Sequence, residues 1–365
     1  MAFFICEKSV IYMEILDMVS NKFLIEPKKV DKYTDKDILK YSIGTNLYTN
    51  GFKNFYKKIV DGEFLNLGSI SICFEDATRE EDLGICEENV RVMLEGLKIW
   101  KEKNPNAYVP LLFVRIRNLE QFKSFTRNTK KEYLKLITGF IFPKFNSENG
   151  RGYFEYLTEL INDTNEVFYA MPIIEDEKVI YKESRIDELI KIKNIIDENK
   201  DVVLNIRVGG TDFSSKFGLR RSKENTIYNI GVVSDCLFDI LNMFSRQGSE
   251  YVISAPVWEY FSSDLNSEEM QGFIREIKMD KENGFIGKTI IHPLQINIVN
   301  ALYAVTFEEY TDAKGVLKAK DGVFKGYGDN KMNEAKPHTN WAKKILKRAE
   351  VFGVLNEGVE YKDLI

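Results

Sequence analysis

The sequence predicts an α/β fold, a (β/α)8 TIM barrel with an N-terminal extension and a C-terminal lid and helical tail. Three observations lead there. Eight short β-rich apolar runs alternate with longer amphipathic stretches, and repeated crossovers of this kind favour a parallel sheet covered by helices. An open doubly wound sheet is the alternative, and the count of eight favours closure. Charged or polar residues follow the apolar runs, at what would be the C-terminal face of the barrel.

The first four runs are 42–48, 69–74, 109–116 and 136–142, and the second four are 167–174, 202–208, 251–255 and 285–291. Between them lie helical stretches at 87–103, 119–134, 184–199, 230–244 and 267–283. Their apolar residues recur at three- and four-residue steps, as in Val90, Leu94 and Leu97, or Ile186, Leu189, Ile190 and Ile196. Residues 1–40 precede the pattern and form the extension, 41–306 the barrel, and 307–365 the lid and tail. A helix at 294–305 is followed by a polar stretch, 310–336, whose glycines Gly315, Gly322, Gly326 and Gly328 read as loop. A last helix covers 338–352, with Ala342, Ile345, Leu346 and Ala349 on one face.

Composition narrows the function. At 365 residues the chain is long for one core, but a barrel uses that length as a single domain. A net charge of −5 with both signs mixed disfavours a nucleic-acid footprint, which needs a basic stripe. Cys6, Cys73, Cys86 and Cys236 are too scattered for a zinc knuckle or disulfide framework and read as buried thiols. No apolar run approaches the ~20 residues of a membrane span. Glu7, Lys8, Glu14 and Asp17 interrupt any signal-peptide core, so the expected location is the cytoplasm.

The strand ends deliver Tyr48, Glu75 with Asp76, Arg115 with Arg117, Lys144, Glu175, Asp212, Glu259 and His292. Glu175 and Asp212 are the metal candidates, against the simpler role of helix cap or solvated carboxylate. With two histidines in the chain a three-histidine zinc site is impossible. Two carboxylates completed by water and substrate oxygens describe Mg²⁺, which would polarise a carbonyl or stabilise an enolate. Strand alternation puts Arg115 and Arg117 on one side, where a guanidinium suits a substrate carboxylate. Their bland alternative is an ion pair with Glu75 or Asp76. Lys144 raises Schiff-base chemistry, but acidic neighbours would hold its amine charged. His292, before a proline, reads as structural. Gly209 and Gly210 let the backbone turn closely beside Asp212.

In order along the chain, ICFEDA, FVRIRN, FPKF, MPIIE, VGGTDF, SAPVWE and GFIGKTIIHPLQI resemble the citrate lyase beta-subunit and malyl-coenzyme A lyase superfamily. LRRS at 219–222 and MNEAKPHTNWAKKILKRAEVFGV are similar to its TIM-barrel C–C bond lyase branch. The resemblance implies a Mg²⁺-dependent lyase or aldolase with Glu175 and Asp212 as metal ligands. It makes Arg115 the substrate-carboxylate arginine, with Glu75 and Asp76 supporting it and the metal waters. Glu334 falls where relatives carry a lid acid that reaches a neighbour's site as acid/base, which implies a homo-oligomer, a trimer or a multiple of one.

Three residues depart from the pattern: Cys73 for an aspartate, Arg117 for an asparagine, and Thr211 for an acid. They leave the metal pair intact and alter what surrounds it. The expected substrate is a small carboxylate, a coenzyme A thioester being its other form. The expected binding set is Arg115, Arg117, Glu75, Asp76 and Lys144, with Arg115 and Glu334 catalytic. A barrel that binds metal and ligand in an assembly without turnover is the second expectation.

Overall fold

A computed structural model of the chain describes residues 22–319 and 321–365. The N-terminal stretch with Cys6, Glu7, Lys8, Glu14 and Asp17 lies outside the described residues. The chain packs as two units, Val30–Val299 and a second one formed by Asn300–Ile365 with the segment before Val30.

The first unit is the barrel. Its strands are β1 (Thr45–Asn50), β2 (Ser69–Cys73), β3 (Leu111–Arg115), β4 (Ile137–Phe142), β5 (Tyr169–Ile174), β6 (Ile206–Val208), β7 (Ile253–Ser254) and β8 (Lys288–Ile290). Each falls within or against one of the eight apolar runs, and all neighbours are parallel. The ring runs from β7 back through β1 to β8, and a single bridge from Ala255 to Lys288 closes it. Strands covered on both faces read as continuous apolar sequence, which is why the runs were visible. Val203 meets Ala170 through an isolated bridge before the β6 ladder begins, so that strand is shorter than its run.

The barrel interior is polar near β1 and β2. Asn46 Nδ2 donates to Ser69 Oγ at 2.7 Å, and Ser71 Oγ donates to Asn46 Oδ1 at 2.8 Å. The helix Glu268–Asn283 starts on Ser267, whose side chain accepts from Met270 N, and stops at Gly284 with φ 100°. It is tied to the barrel by Lys288, wholly buried on β8, which bonds Glu276 at 2.9 Å and Asp280 at 2.7 Å. Arg221 of LRRS joins this cluster, 2.6 Å from Glu276 and with its guanidinium 4.7 Å from the Trp258 ring centroid. The helical stretch at 119–134 is two helices, Leu119–Arg127 and Lys131–Leu134, because Lys130 is extended between them.

In the second unit, the expected loop at 310–336 is corrected. Phe307–Lys318 is a helix, started by a capping box in which Thr306 and Glu309 satisfy each other's backbone N–H. Gly315 sits inside it because a side chain there would press on the Phe324 ring, 3.2 Å from Cε2. A hairpin, Val323–Lys325 with Met332–Glu334, follows, and the last helix is Ala335–Phe352. Val305, Ala313, Val316, Ala342, Ile345, Ala349 and Val354 form the core of this unit. Phe23–Ile25 pairs with Val354–Leu355. Among the described residues no helix is long and apolar enough to cross a membrane. Cys73, Cys86 and Cys236 are buried free thiols.

Candidate active site

Four adjacent strand ends bring one cluster together. Arg115 ends β3, Glu75 and Asp76 follow β2, Lys144 follows β4, and Glu175 follows β5. Arg115 is 8% exposed and directs Nη2 at three carboxylates: Glu75 at 2.5 Å, Asp76 at 3.1 Å and Glu175 at 3.0 Å. Burial would lower the Arg115 pKa, but Tyr48, Glu175, Cys73 and Glu75 outweigh it and raise it. Its buried Nε takes no partner among the described residues, and Nη1 is in none of the hydrogen bonds above, so these donors could meet a ligand carboxylate.

Glu175 is 4% exposed. Its Oε1 accepts from Arg115 Nη2 and from the Lys144 backbone N–H at 2.9 Å. Burial pushes its carboxyl up to about 8 despite Arg115, and the nearby Asp212 charge adds to the rise. Asp212 is carried in the first turn of Gly210–Ser215, directly after β6. The second oxygens of both acids converge above Gly209. A Cβ built on Gly209 would lie 2.6 Å from Glu175 Oε2 and 3.2 Å from Asp212 Oδ2.

That cradle tests the fit of a metal. The chain supplies two hard carboxylate oxygens at one point, and no group of three His, Cys, Asp or Glu is found among the described residues. A cation that keeps several waters and takes oxygens from its ligand matches this donor set, and Mg²⁺ is such a cation.

Lys144 sits in the left-handed region, φ 46°, and its Nζ bonds both Glu75 and Asp76. Burial lowers its pKa, but the two carboxylates more than compensate and raise it above the ordinary lysine value. Burial raises Glu75 against the pull of Arg115. Asp76 is held low because Glu75, Arg115 and Lys144 overcome its desolvation.

Other expected residues are placed elsewhere. Arg117 gives its Nε to Phe74 O at 3.1 Å and its Nη2 to Thr78 O, so it braces the loop after β2. Glu259 lies 3.6 Å from Arg221. His292 stacks on Phe261, with centroids 4.2 Å apart, and its Nδ1 accepts from Leu294 N. Glu334 ends the hairpin of the second unit, half-buried, with its N–H on His338 Nδ1 at 3.1 Å.

Sequence reading missed Asn205 and Arg207, both buried, which sit two apart inside the apolar run 202–208. That spacing within a barrel strand was the available signal. The guanidinium carbons of Arg207 and Arg115 lie 5.9 and 5.8 Å from the Tyr48 ring centroid.

Comparison with known proteins follows this geometry. The profile of the C–C bond lyases of the TIM-barrel fold matches residues 37–354. The citrate lyase beta subunit of Escherichia coli (strain K12) is 29% identical over 160 residues, 42% of this chain and 48% of that protein. Its counterpart in Leuconostoc mesenteroides subsp. cremoris is 37% identical over 91 residues, 24% of this chain and 30% of that one. The chain thus spans half or less of the length of these curated relatives. A citrate lyase structure from Burkholderia xenovorans LB400 aligns with a TM-score of 0.63 at 15% identity, covering 88% of this chain and 96% of that one. The structure of CitE from Mycobacterium tuberculosis in complex with magnesium, acetoacetate and coenzyme A gives 0.53 at 17% identity, covering 84% and 97%. At such identities the structural likeness concerns the fold alone.

Proposed function

The chain belongs to the C–C bond lyases of the TIM-barrel fold, and from that premise we propose that it is a Mg²⁺-dependent carbon–carbon lyase or aldolase acting on a small carboxylate. The observation that carries this reading is the convergence of Glu175 Oε2 and Asp212 Oδ2 on one point beside the Arg115 guanidinium. Glu175 and Asp212 would hold the cation. Mg²⁺, when bound, would supply Lewis-acid polarisation of the carbonyl next to the scissile bond.

The chain's own groups do the rest. Glu75, Asp76 and Glu175 fix Nη2 of Arg115, so that Nη1 meets the substrate carboxylate without further ordering. The Lys144 N–H orients Glu175 by occupying Oε1, which would leave Oε2 to hold the cation. Arg115 and Lys144 pair with Glu75, Asp76 and Glu175, Asp212 lies near Glu175, and Arg207 adds its charge without pairing any of them, three cations against four carboxylates. A dication leaves one positive charge, which suits one ligand carboxylate. In this reading Glu334, from the lid of a neighbouring copy in a homo-oligomer, moves the proton at the carbon left by the broken bond. The enzyme would work in the cytoplasm. The M. tuberculosis complex contains both acetoacetate and coenzyme A, which supports a thioester as the alternative substrate form.

The test is a panel of small oxo- and hydroxy-carboxylates, free and as thioesters, assayed for C–C cleavage with and without magnesium. Magnesium-dependent product that disappears in Glu175→Gln is expected. Full activity in that variant sinks the reading. Ligand-dependent thermal stabilisation with no product from any substrate identifies the non-catalytic barrel instead.

A further inference from the structure

Arg207 is a buried cation without a counter-ion among the described residues. It lies on β6 in register with Ile173 of β5 and Ser254 of β7, and is 3% exposed. Its Nη2 donates to Thr289 Oγ1, its Nη1 has no hydrogen-bond partner, and it forms no ion pair among the described residues. Burial depresses its pKa, as does the neighbouring charge of Arg115. Asn205, two residues before it, leaves both amide atoms unpartnered, as do Tyr48 Oη and Arg115 Nε.

A guanidinium taken from water without a carboxylate destabilises a fold, and an apolar side chain of similar volume would serve the core better. Such a residue is explained by what lies beside it. The Tyr48 ring faces both guanidinium groups, with centroid distances of 5.8 Å to Arg115 and 5.9 Å to Arg207. The ring therefore joins the unpaired cation to the arginine that meets the ligand. Cation–π attraction holds each guanidinium to it, while like-charge repulsion presses Arg115 toward Glu75, Asp76 and Glu175.

We propose that Arg207 and Tyr48 are positioning residues for anion binding. In this role Tyr48 supports the Arg115 guanidinium through its ring face, and Arg207 adds a fixed positive charge behind it. This rests on the functional reading above and deepens it. The site is tuned by a dry, prearranged charge, worth more to an anion than the same charge in water. The Tyr48 hydroxyl, which meets no hydrogen-bond partner among the described residues, has no part in it.

The experiment uses the full chain, with thermal melting without ligand, then calorimetric titration with MgCl₂ alone, then pyruvate at saturating Mg²⁺. Arg207→Met is expected to melt no lower than the parent, because it removes an unpaired buried charge. It should bind Mg²⁺ as tightly or more tightly, since a repelling cation is gone. It should bind pyruvate about tenfold more weakly, in high salt as in low, because buried charges are poorly screened. Arg207→Lys should recover part of that loss. Tyr48→Leu should weaken pyruvate binding, and Tyr48→Phe should restore most of what the leucine loses.

A merely structural Arg207 gives the opposite pattern, a lower melting temperature with Mg²⁺ and pyruvate affinities falling together, and that overturns the proposal. Unchanged pyruvate affinity in Arg207→Met overturns it as well and leaves the functional reading standing. A parent protein that binds Mg²⁺ but not pyruvate, glyoxylate or acetoacetate overturns the functional reading, and this proposal with it.

Discussion

Lys144 donates its backbone N–H to Glu175 Oε1 at 2.9 Å from a left-handed backbone, φ 46°. A residue with a Cβ pays about 1–2 kcal/mol for that conformation. Its amide thereby meets the buried carboxylate, and its Nζ meets Glu75 and Asp76. Lys144→Ala and Lys144→Gly both lose the amine contacts, and only the alanine keeps the strain. The glycine variant is expected to be more stable by about 1 kcal/mol in urea denaturation. Equal stability would show that the turn carries no such cost.

The same lysine bears on the reaction class. Glu75 and Asp76 raise its pKa against burial, so at neutral pH the amine stays protonated and is a poor nucleophile. Borohydride added with pyruvate is expected to leave the mass of the protein unchanged. A trapped adduct at Lys144 would point to Schiff-base chemistry.

Metal binding should release a proton. Without metal, burial pushes the Glu175 carboxyl up from 4.5 to about 8. Oε1 already accepts two hydrogen bonds, so the proton sits on Oε2, where the cation would bind. The carboxyl is neutral below about 8, and affinity for Mg²⁺ should rise with pH until that value and then flatten. Near pH 7, calorimetry in buffers of different ionisation enthalpy should register about one proton released per Mg²⁺. The same shift has a sign for stability. Folded Glu175 holds a proton that the unfolded chain has lost between 4.5 and about 8, so its contribution to metal-free stability declines as pH rises through that window. Saturating Mg²⁺ should flatten or reverse the decline in melting temperature.

Lys288 gives a prediction about the fold. It is wholly buried between Glu276 and Asp280, and Glu276 is shared with Arg221. Lys288→Met would leave the Asp280 carboxylate without its cation, a loss on the order of 3–5 kcal/mol. Replacing Lys288 and Asp280 together by apolar residues, which leaves Glu276 its pairing with Arg221, should cost much less. A double-mutant cycle by chemical denaturation distinguishes the two, and additive losses would mean the groups act separately.

Much of this was legible in the sequence, for a physical reason. Parallel strands covered on both faces are apolar throughout, so eight runs marked eight strands, and Glu175 and Asp212, which follow two of them, marked the candidate site. The rest depends on closure of the barrel. Arg207 and Asn205 sit two apart inside an apolar run, a spacing that puts them on one side of the strand, and closure of the barrel sets what that side meets. Arg117 has the same strand parity as Arg115, yet it lies beyond the end of β3, and its donors found Phe74 O and Thr78 O. The helix Phe307–Lys318 was hidden by Gly315, whose missing side chain is explained by Phe324, a residue nine positions away.

Gly209 offers the most direct test of the metal cradle. An alanine Cβ there would sit 2.4 Å from Glu175 Cβ, 2.6 Å from Glu175 Oε2 and 3.2 Å from Asp212 Oδ2, pressing on both acids that would share a cation. At Gly210 a Cβ would meet Pro256 Cβ at 2.9 Å, a milder overpacking than the 2.4 Å approach at Gly209, and one that touches neither acid. Both alanine variants should lose stability, on the order of 1–3 kcal/mol. Only Gly209→Ala should weaken Mg²⁺ binding by tenfold or more, because it pushes Glu175 Oε2 off the shared point. If calorimetry shows both variants binding Mg²⁺ like the parent, the two carboxylates do not share a metal above Gly209. Equal weakening in both would trace the effect to overpacking of the turn rather than to the cradle.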